Sequence, residues 1–196
     1  VRPLSCTVVI PCRNEAGNIE PAIDRLPPIG THTEIIFVDG ASSDGTVDKI
    51  EEQIKKHTGD KNIKLIHQTP TTAGTANASL MLPQGKGDAV RQGFAAARGD
   101  VLMILDADLT VPPEDLPKFY EPLASGKAQF VNGTRLVYPI EDEAMPLLNF
   151  FGNKFFSLVF TWLLSQPIKD TLCGTKAMLK TDYERLVAGR AYFGNF

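Results

Sequence analysis

The chain has 196 residues, 43% hydrophobic and 22% charged, with a formal net charge of −3. This is enough for one domain with a substantial core, and the small net charge excludes a polyanion-coating protein, so nucleic acid is not an expected partner. Three cysteines, Cys6, Cys12 and Cys173, have no metal-type spacing and cannot all pair, which points to buried thiols in a reducing, cytoplasmic setting. No charged segment followed by an apolar run opens the sequence as a secretory signal would.

The β-branched run over residues 5–10, bounded by Pro3 and Pro11, predicts a strand buried on both faces. A helix follows, with Asn14 as its expected N-cap and Ile19, Ala22, Ile23 and Leu26 at helical spacing before Pro27-Pro28. A second strand spans 34–38 and ends at Asp39-Gly40. Ser42-Ser43-Asp44-Gly45-Thr46 combines a turn with a helix start, and Val47, Ile50 and Ile54 supply the apolar stripe behind it. The third strand is 63–67.

Between Gln68 and Gln84 the composition turns to Thr, Ala, Gly, Asn and Pro without a period, which reads as a long loop or insertion. Gly85-Lys86-Gly87 opens a helix over 88–98 that packs through Val90, Phe94 and Ala97. The apolar run 101–105 is a fourth strand, and Asp106-Ala107-Asp108 leaves its tip. Val111-Pro112-Pro113-Glu114-Asp115-Leu116 starts another helix, and 129–133 is a fifth strand leading to Arg135. The stretch 145–164 is rich in Phe, Leu and Trp but interrupted by Asn149, Asn153 and Lys154. It is too polar for a membrane span and predicts an amphipathic helix, packed on the sheet or lying on a membrane surface.

Strand and helix alternating with short links predict a doubly wound α/β fold with a mainly parallel sheet, in which ligands collect at the carboxyl ends of the strands. Four loops then converge there: 11–15, 39–46, 85–91 and 106–110. Asp106 and Asp108 are the candidate ligands for a hard divalent cation, which takes carboxylate oxygens together with phosphate oxygens of a substrate. Lys86, in a glycine setting, could reach a diphosphate as a point charge. Read by themselves, Glu15 could be a first-turn helix carboxylate, Asp44 a turn residue and Lys86 a solvated loop lysine.

The blocks Val9-Ile10-Pro11-Cys12-Arg13-Asn14-Glu15, Val38-Asp39-Gly40-Ala41-Ser42-Ser43-Asp44-Gly45-Thr46, Gly85-Lys86-Gly87-Asp88-Ala89 and Asp106-Ala107-Asp108-Leu109, in that order, resemble the inverting family 2 glycosyltransferases of the GT-A fold. The resemblance implies a Rossmann-like three-layer sandwich occupying 1–196 as a single catalytic domain. It also implies a nucleoside-diphosphate sugar donor, UDP- or GDP-linked, and Mg²⁺ or Mn²⁺. Pro11, Arg13, Glu15, Asp39, Asp44, Lys86 and Asp106 would hold the donor, and Asp108 with Asp106 the cation. Asp170-Thr171-Leu172-Cys173-Gly174-Thr175-Lys176-Ala177 and Gly133-Thr134-Arg135 are similar to the polyprenyl-phosphate branch, typified by dolichol-phosphate mannosyltransferase. There the acceptor is a lipid phosphate at the membrane surface, and Arg135 would grip its phosphate.

Two positions depart from the family pattern: Thr110 stands where Gln is frequent, and Pro146 to Lys154 replaces a basic, Ser-rich acceptor segment. With a hydroxyl acceptor a base is needed, and Asp170 is the candidate, set against a purely structural role for it. The other readings are a catalytically silent nucleotide-sugar binding module and a nucleotidyltransferase, the latter disfavoured because no Gly-rich basic loop follows the first strand. The sequence ends at Phe196, before the closing strands that relatives carry, so the domain is expected to be truncated at its C-terminus. Nothing in the sequence specifies an oligomeric state.

Overall fold

A computed structural model describes residues 3–69, 85–133, 158–159, 161–162 and 173–189. In chain order the elements are β1 (Cys6–Cys12), α1 (Ala16–Asp24), β2 (Thr33–Asp39), α2 (Thr46–Lys56), β3 (Asn62–His67), α3 (Lys86–Ala96) and β4 (Val101–Ile104). A 3₁₀ turn (Pro113–Asp115) leads into α4 (Leu116–Ala124), followed by β5 (Phe130–Asn132), β6 (Lys176–Leu179) and α5 (Lys180–Gly189). One six-stranded sheet has the order β3-β2-β1-β4-β6-β5. The first four strands are parallel, and β6 runs antiparallel to β4 and β5.

The strands read as continuous apolar runs because both faces of the sheet are covered. On β1, Cys6, Val8, Ile10 and Cys12 point into a cluster with Ile19 and Ile23 of α1, Ile50 of α2 and Leu116 of α4. Val9 points the other way, to Ala89 and Phe94 of α3. The result is the expected three-layer α/β sandwich, in which each fully buried side chain such as Ile36 or Phe37 stabilises by about 1.5–3 kcal/mol. Gly93 lets α3 lie hard on the sheet, since a Cβ there would stand 2.4 Å from Val9 Cγ1.

Three local expectations differ. Asn14 does not cap α1: it takes a left-handed conformation (φ 57°) and Glu15 occupies the N-cap position. Gln68 is not part of a loose loop but buried, and residues 70–84 lie outside the described residues. The strand Lys176–Leu179, which carries only four residues, had no signal of its own; Ala177 buries between β4 and β5 and fixes its place. Of the helix expected over 145–164, only 158, 159, 161 and 162 are described; they are helical, with Leu158 and Trp162 exposed. Among the described residues no helix is long and apolar enough to cross a membrane.

Candidate active site

The carboxyl ends of β1 and β2 lie side by side, with Cys12 paired to Asp39, so the loops that follow them meet. They are stitched together by side chains. Asn14 N donates to Ser42 Oγ (2.9 Å), and Asn14 Oδ1 accepts from Ser43 N (2.9 Å). Glu15 N donates to Thr46 Oγ1 (2.9 Å), and Ala16 N donates to Asp44 Oδ2 (3.2 Å). Asp44 Oδ1 accepts from Thr46 N (3.0 Å) and from its hydroxyl. The Thr46 hydroxyl and the backbone N–H groups of Ala16 and Thr46 hold the Asp44 carboxyl below its ordinary range. Asp39, nearly buried, accepts from Ser42 N at 3.2 and 3.3 Å. Burial, reinforced by Asp39, Glu15 and Asp44, pushes the Cys12 thiol up to about 12, so it stays a neutral wall of the site.

A second group gathers where β4 ends and α3 begins. Asp106 Oδ1 is buried and stands 2.6 Å from Lys86 Nζ; it accepts no other hydrogen bond among the described residues. The carboxylate also abuts Gly174, where a Cβ would come within 2.1 Å of Oδ2. Asp108 accepts from Thr110 N (3.0 Å) across a turn in which Leu109 has φ 54°. Below Lys86, the buried carboxylate of Asp88 accepts from Gln68 Nε2 (3.0 Å) and Gln92 Nε2 (2.8 Å). Gln68 also donates to Gly85 O (3.1 Å), which fixes the start of α3 against the end of β3.

Both groups open on one cavity of about 390 Å³, of the size that binds small ligands. Pro11, Arg13 and Glu15 line it from the first loop, Lys86 from the third, and Asp106 and Asp108 from the fourth. Asp39 and Asp44 stand behind these lining residues: Asp44 bonds Ala16 N at the end of the first loop, while Asp39 bonds Ser42 N within its own loop, beside Gly40 of the lining. Arg135 and Asp170 lie outside the described residues. Gln68 carries no site signal in the sequence and only the fold brings it beside Lys86, whereas Gly174 lies in the 170–177 block that resembles the polyprenyl-phosphate branch, and the fold sets it against Asp106.

Among the described residues no group of three or more His, Cys, Asp or Glu side chains is arranged to hold a metal ion. Asp106 and Asp108 nevertheless fit a cation that is completed by substrate oxygens. Two hard carboxylates line one cavity, and one of their oxygens is buried with the Lys86 ammonium as its one polar contact among the described residues.

The chain is 35% identical over 134 residues to the dolichol-phosphate mannosyltransferase of Saccharomyces cerevisiae, covering 66% of this chain and 44% of that protein. It is 31% identical over 181 residues to the dolichol-phosphate mannosyltransferase of Pyrococcus furiosus, covering 90% of this chain and 47% of the relative. It thus spans just under half the length of these curated relatives. Among solved structures, glucosyl-3-phosphoglycerate synthase from Mycobacterium tuberculosis, crystallised with Mn²⁺, UDP and glucosyl-3-phosphoglycerate, superposes with a TM-score of 0.64. Its identity is 22%, over 91% of this chain and 57% of that one, a likeness of GT-A fold. The sequence model of glycosyl transferase family 2 runs over residues 7–186, from the first buried strand into the last described helix, and the chain belongs to that family.

Proposed function

We propose that residues 1–196 form the catalytic domain of an inverting glycosyltransferase that moves a sugar from a nucleoside-diphosphate sugar to a polyprenyl phosphate. The observation that carries this reading is the single cavity shared by Glu15, Lys86, Asp106 and Asp108. The Glu15 carboxylate at one end suits the hydroxyls and N–H groups of a nucleoside, and an ammonium and an acidic pair at the other suit a diphosphate with its cation. The polyprenyl phosphate is supported by the names of the dolichol-phosphate relatives.

In this reading Pro11, Arg13 and Glu15 cradle the nucleoside, with Asp44 holding their loop through Ala16 N and Asp39 bracing the neighbouring 39–46 loop through Ser42 N. Lys86 contacts the diphosphate. Asp106 and Asp108 would hold Mg²⁺ or Mn²⁺, which when bound supplies Lewis-acid neutralisation of the departing nucleoside diphosphate. An acceptor phosphate oxygen attacks the anomeric carbon from the face opposite the diphosphate. The new C–O bond forms as the old one breaks, the configuration inverts, and the electron pair leaves on the nucleoside diphosphate. The acceptor is already ionised, so no base is required; Arg135 grips its phosphate, and Asp170 has a base role only with a hydroxyl acceptor.

Calorimetric titration with UDP- and GDP-sugars in the presence of Mn²⁺, followed by transfer assays on polyprenyl phosphate and on the free polyprenol, tests the reading. Binding of one donor class and transfer to the phosphate alone are expected. No binding across the donor panel overturns the site, and transfer to the polyprenol that is lost in Asp170→Asn overturns the acceptor.

A further inference from the structure

The Asp106 carboxylate is held by two groups of unequal freedom. Gly174 backs it so closely that a Cβ would fall 2.1 Å from Oδ2 and 2.4 Å from Oδ1, which leaves the carboxylate no room to turn in that direction. Lys86 faces it with Nζ 2.6 Å from the buried Oδ1, on a side chain that is 55% exposed. The lysine is the partner that can leave.

Its position also disfavours it. Lys86 is the first residue of α3, an eleven-residue helix, and helix N-termini favour anions over cations. The charge of Asp106 offsets that. A diphosphate arriving at the same helix end would offset it equally and give the ammonium a second partner within reach of a flexible four-carbon stem.

We propose that the Lys86 ammonium occupies the cation's place on Asp106 until a diphosphate draws it away, so that cation and nucleoside diphosphate bind cooperatively. Ammonium and divalent cation need the same buried oxygen, and the two cannot share it. The cation alone must displace an ion pair; with the diphosphate present the pair is already exchanged. Linkage then makes each ligand raise the affinity of the other by the same factor. This rests on the donor-site reading given above.

The test measures Mn²⁺ binding to the protein without nucleotide, from the electron paramagnetic resonance signal of free Mn²⁺, in wild type, Lys86→Gln, Lys86→Arg and Arg13→Gln. Arg13→Gln removes a positive charge from the same cavity without touching Asp106 among the described residues. Lys86→Gln is expected to bind Mn²⁺ about fivefold tighter, the scale of a partly exposed ion pair, while Lys86→Arg and Arg13→Gln stay within about twofold of wild type. Saturating UDP or GDP, after correction for chelation in free solution, is expected to narrow the gap between wild type and Lys86→Gln. Equal affinity in wild type and Lys86→Gln overturns the exchange while leaving the donor site standing. An equal gain in Arg13→Gln reduces it to a general field and overturns it too. Failure of all four proteins to bind Mn²⁺ and nucleotide removes the donor-site reading and the exchange together. Melting curves confirm that each variant is folded.

Discussion

Gly174 rests directly on the carboxylate of Asp106, with no space between them for even a methyl group. The two residues are far apart in sequence, and the contact arises because β6 inserts antiparallel beside β4. Gly174→Ala is expected to displace the carboxylate and weaken Mn²⁺ binding by about 10–100-fold, the usual scale for losing a group that orients a metal ligand. Overpacking adds a stability loss of about 1–3 kcal/mol. A Mn²⁺ titration paired with denaturant unfolding checks both, and unchanged affinity would show that Asp106 is not fixed from this side.

Asp108 reaches the same cavity, and its one described bond is from the Thr110 backbone. Asp108→Asn keeps that acceptor and removes the charge. Donor turnover should fall by about 10²–10³-fold, the range for losing one electrostatic stabiliser of a transition state, with the melting temperature almost unmoved. Steady-state rates on purified variant and wild type decide it.

Asp44 spends its carboxylate on Ala16 and Thr46 rather than on the cavity. Asp44→Ala should therefore loosen the nucleoside end, lowering kcat/KM by roughly tenfold through misplacement, chiefly in the KM for donor. The hydrogen bonds depress its folded-state pKa, so their contribution is present above the ordinary carboxylate range and is lost as the pH falls through the depressed value. An acid limb in donor KM that vanishes in the variant is the expected signature.

At the opposite end of the sheet Glu34 is buried, and burial alone would raise its pKa. Lys64, Arg98 N and the Thr7 hydroxyl outweigh that and hold it below its ordinary range. Its stabilising share is thus complete above the unfolded carboxyl value, about 4.3, and fades as the pH drops through the lower folded-state value. Glu34→Gln should lower stability at pH 7 and flatten the acid side of a pH–stability curve, without affecting nucleotide binding.

The sandwich itself was readable because β1, β2 and β4 are buried on both faces and spell unbroken apolar runs. The four loops were readable because turn residues and acids cluster at the run ends. Lys176–Leu179 was not, since four residues carry no period and their strand state is imposed by the neighbours on either side. The capping role expected for Asn14 failed because its side chain bonds across to Ser43 instead of to its own helix. Gln68 looked like the first residue of a polar loop; its burial follows from Asp88, a long-range partner that no local pattern reveals. The contact of Lys86 with Asp106 is likewise long-range: α3 packs across β1 and β2, which sets its first residue beside the loop that leaves β4.

The non-glycine residues with positive φ among the described residues are Asn14, Ala41 and Leu109, at 57°, 61° and 54°. Each sits in a different one of the converging loops, and a left-handed backbone costs a residue with a Cβ about 1–2 kcal/mol. The fold therefore keeps its least comfortable backbone where ligand is expected. Laboratory evolution for heat tolerance alone would find Ala41→Gly among its easiest gains, and would reach it by softening the rim of the cavity, whereas Leu109 is held in place by its packing against the core.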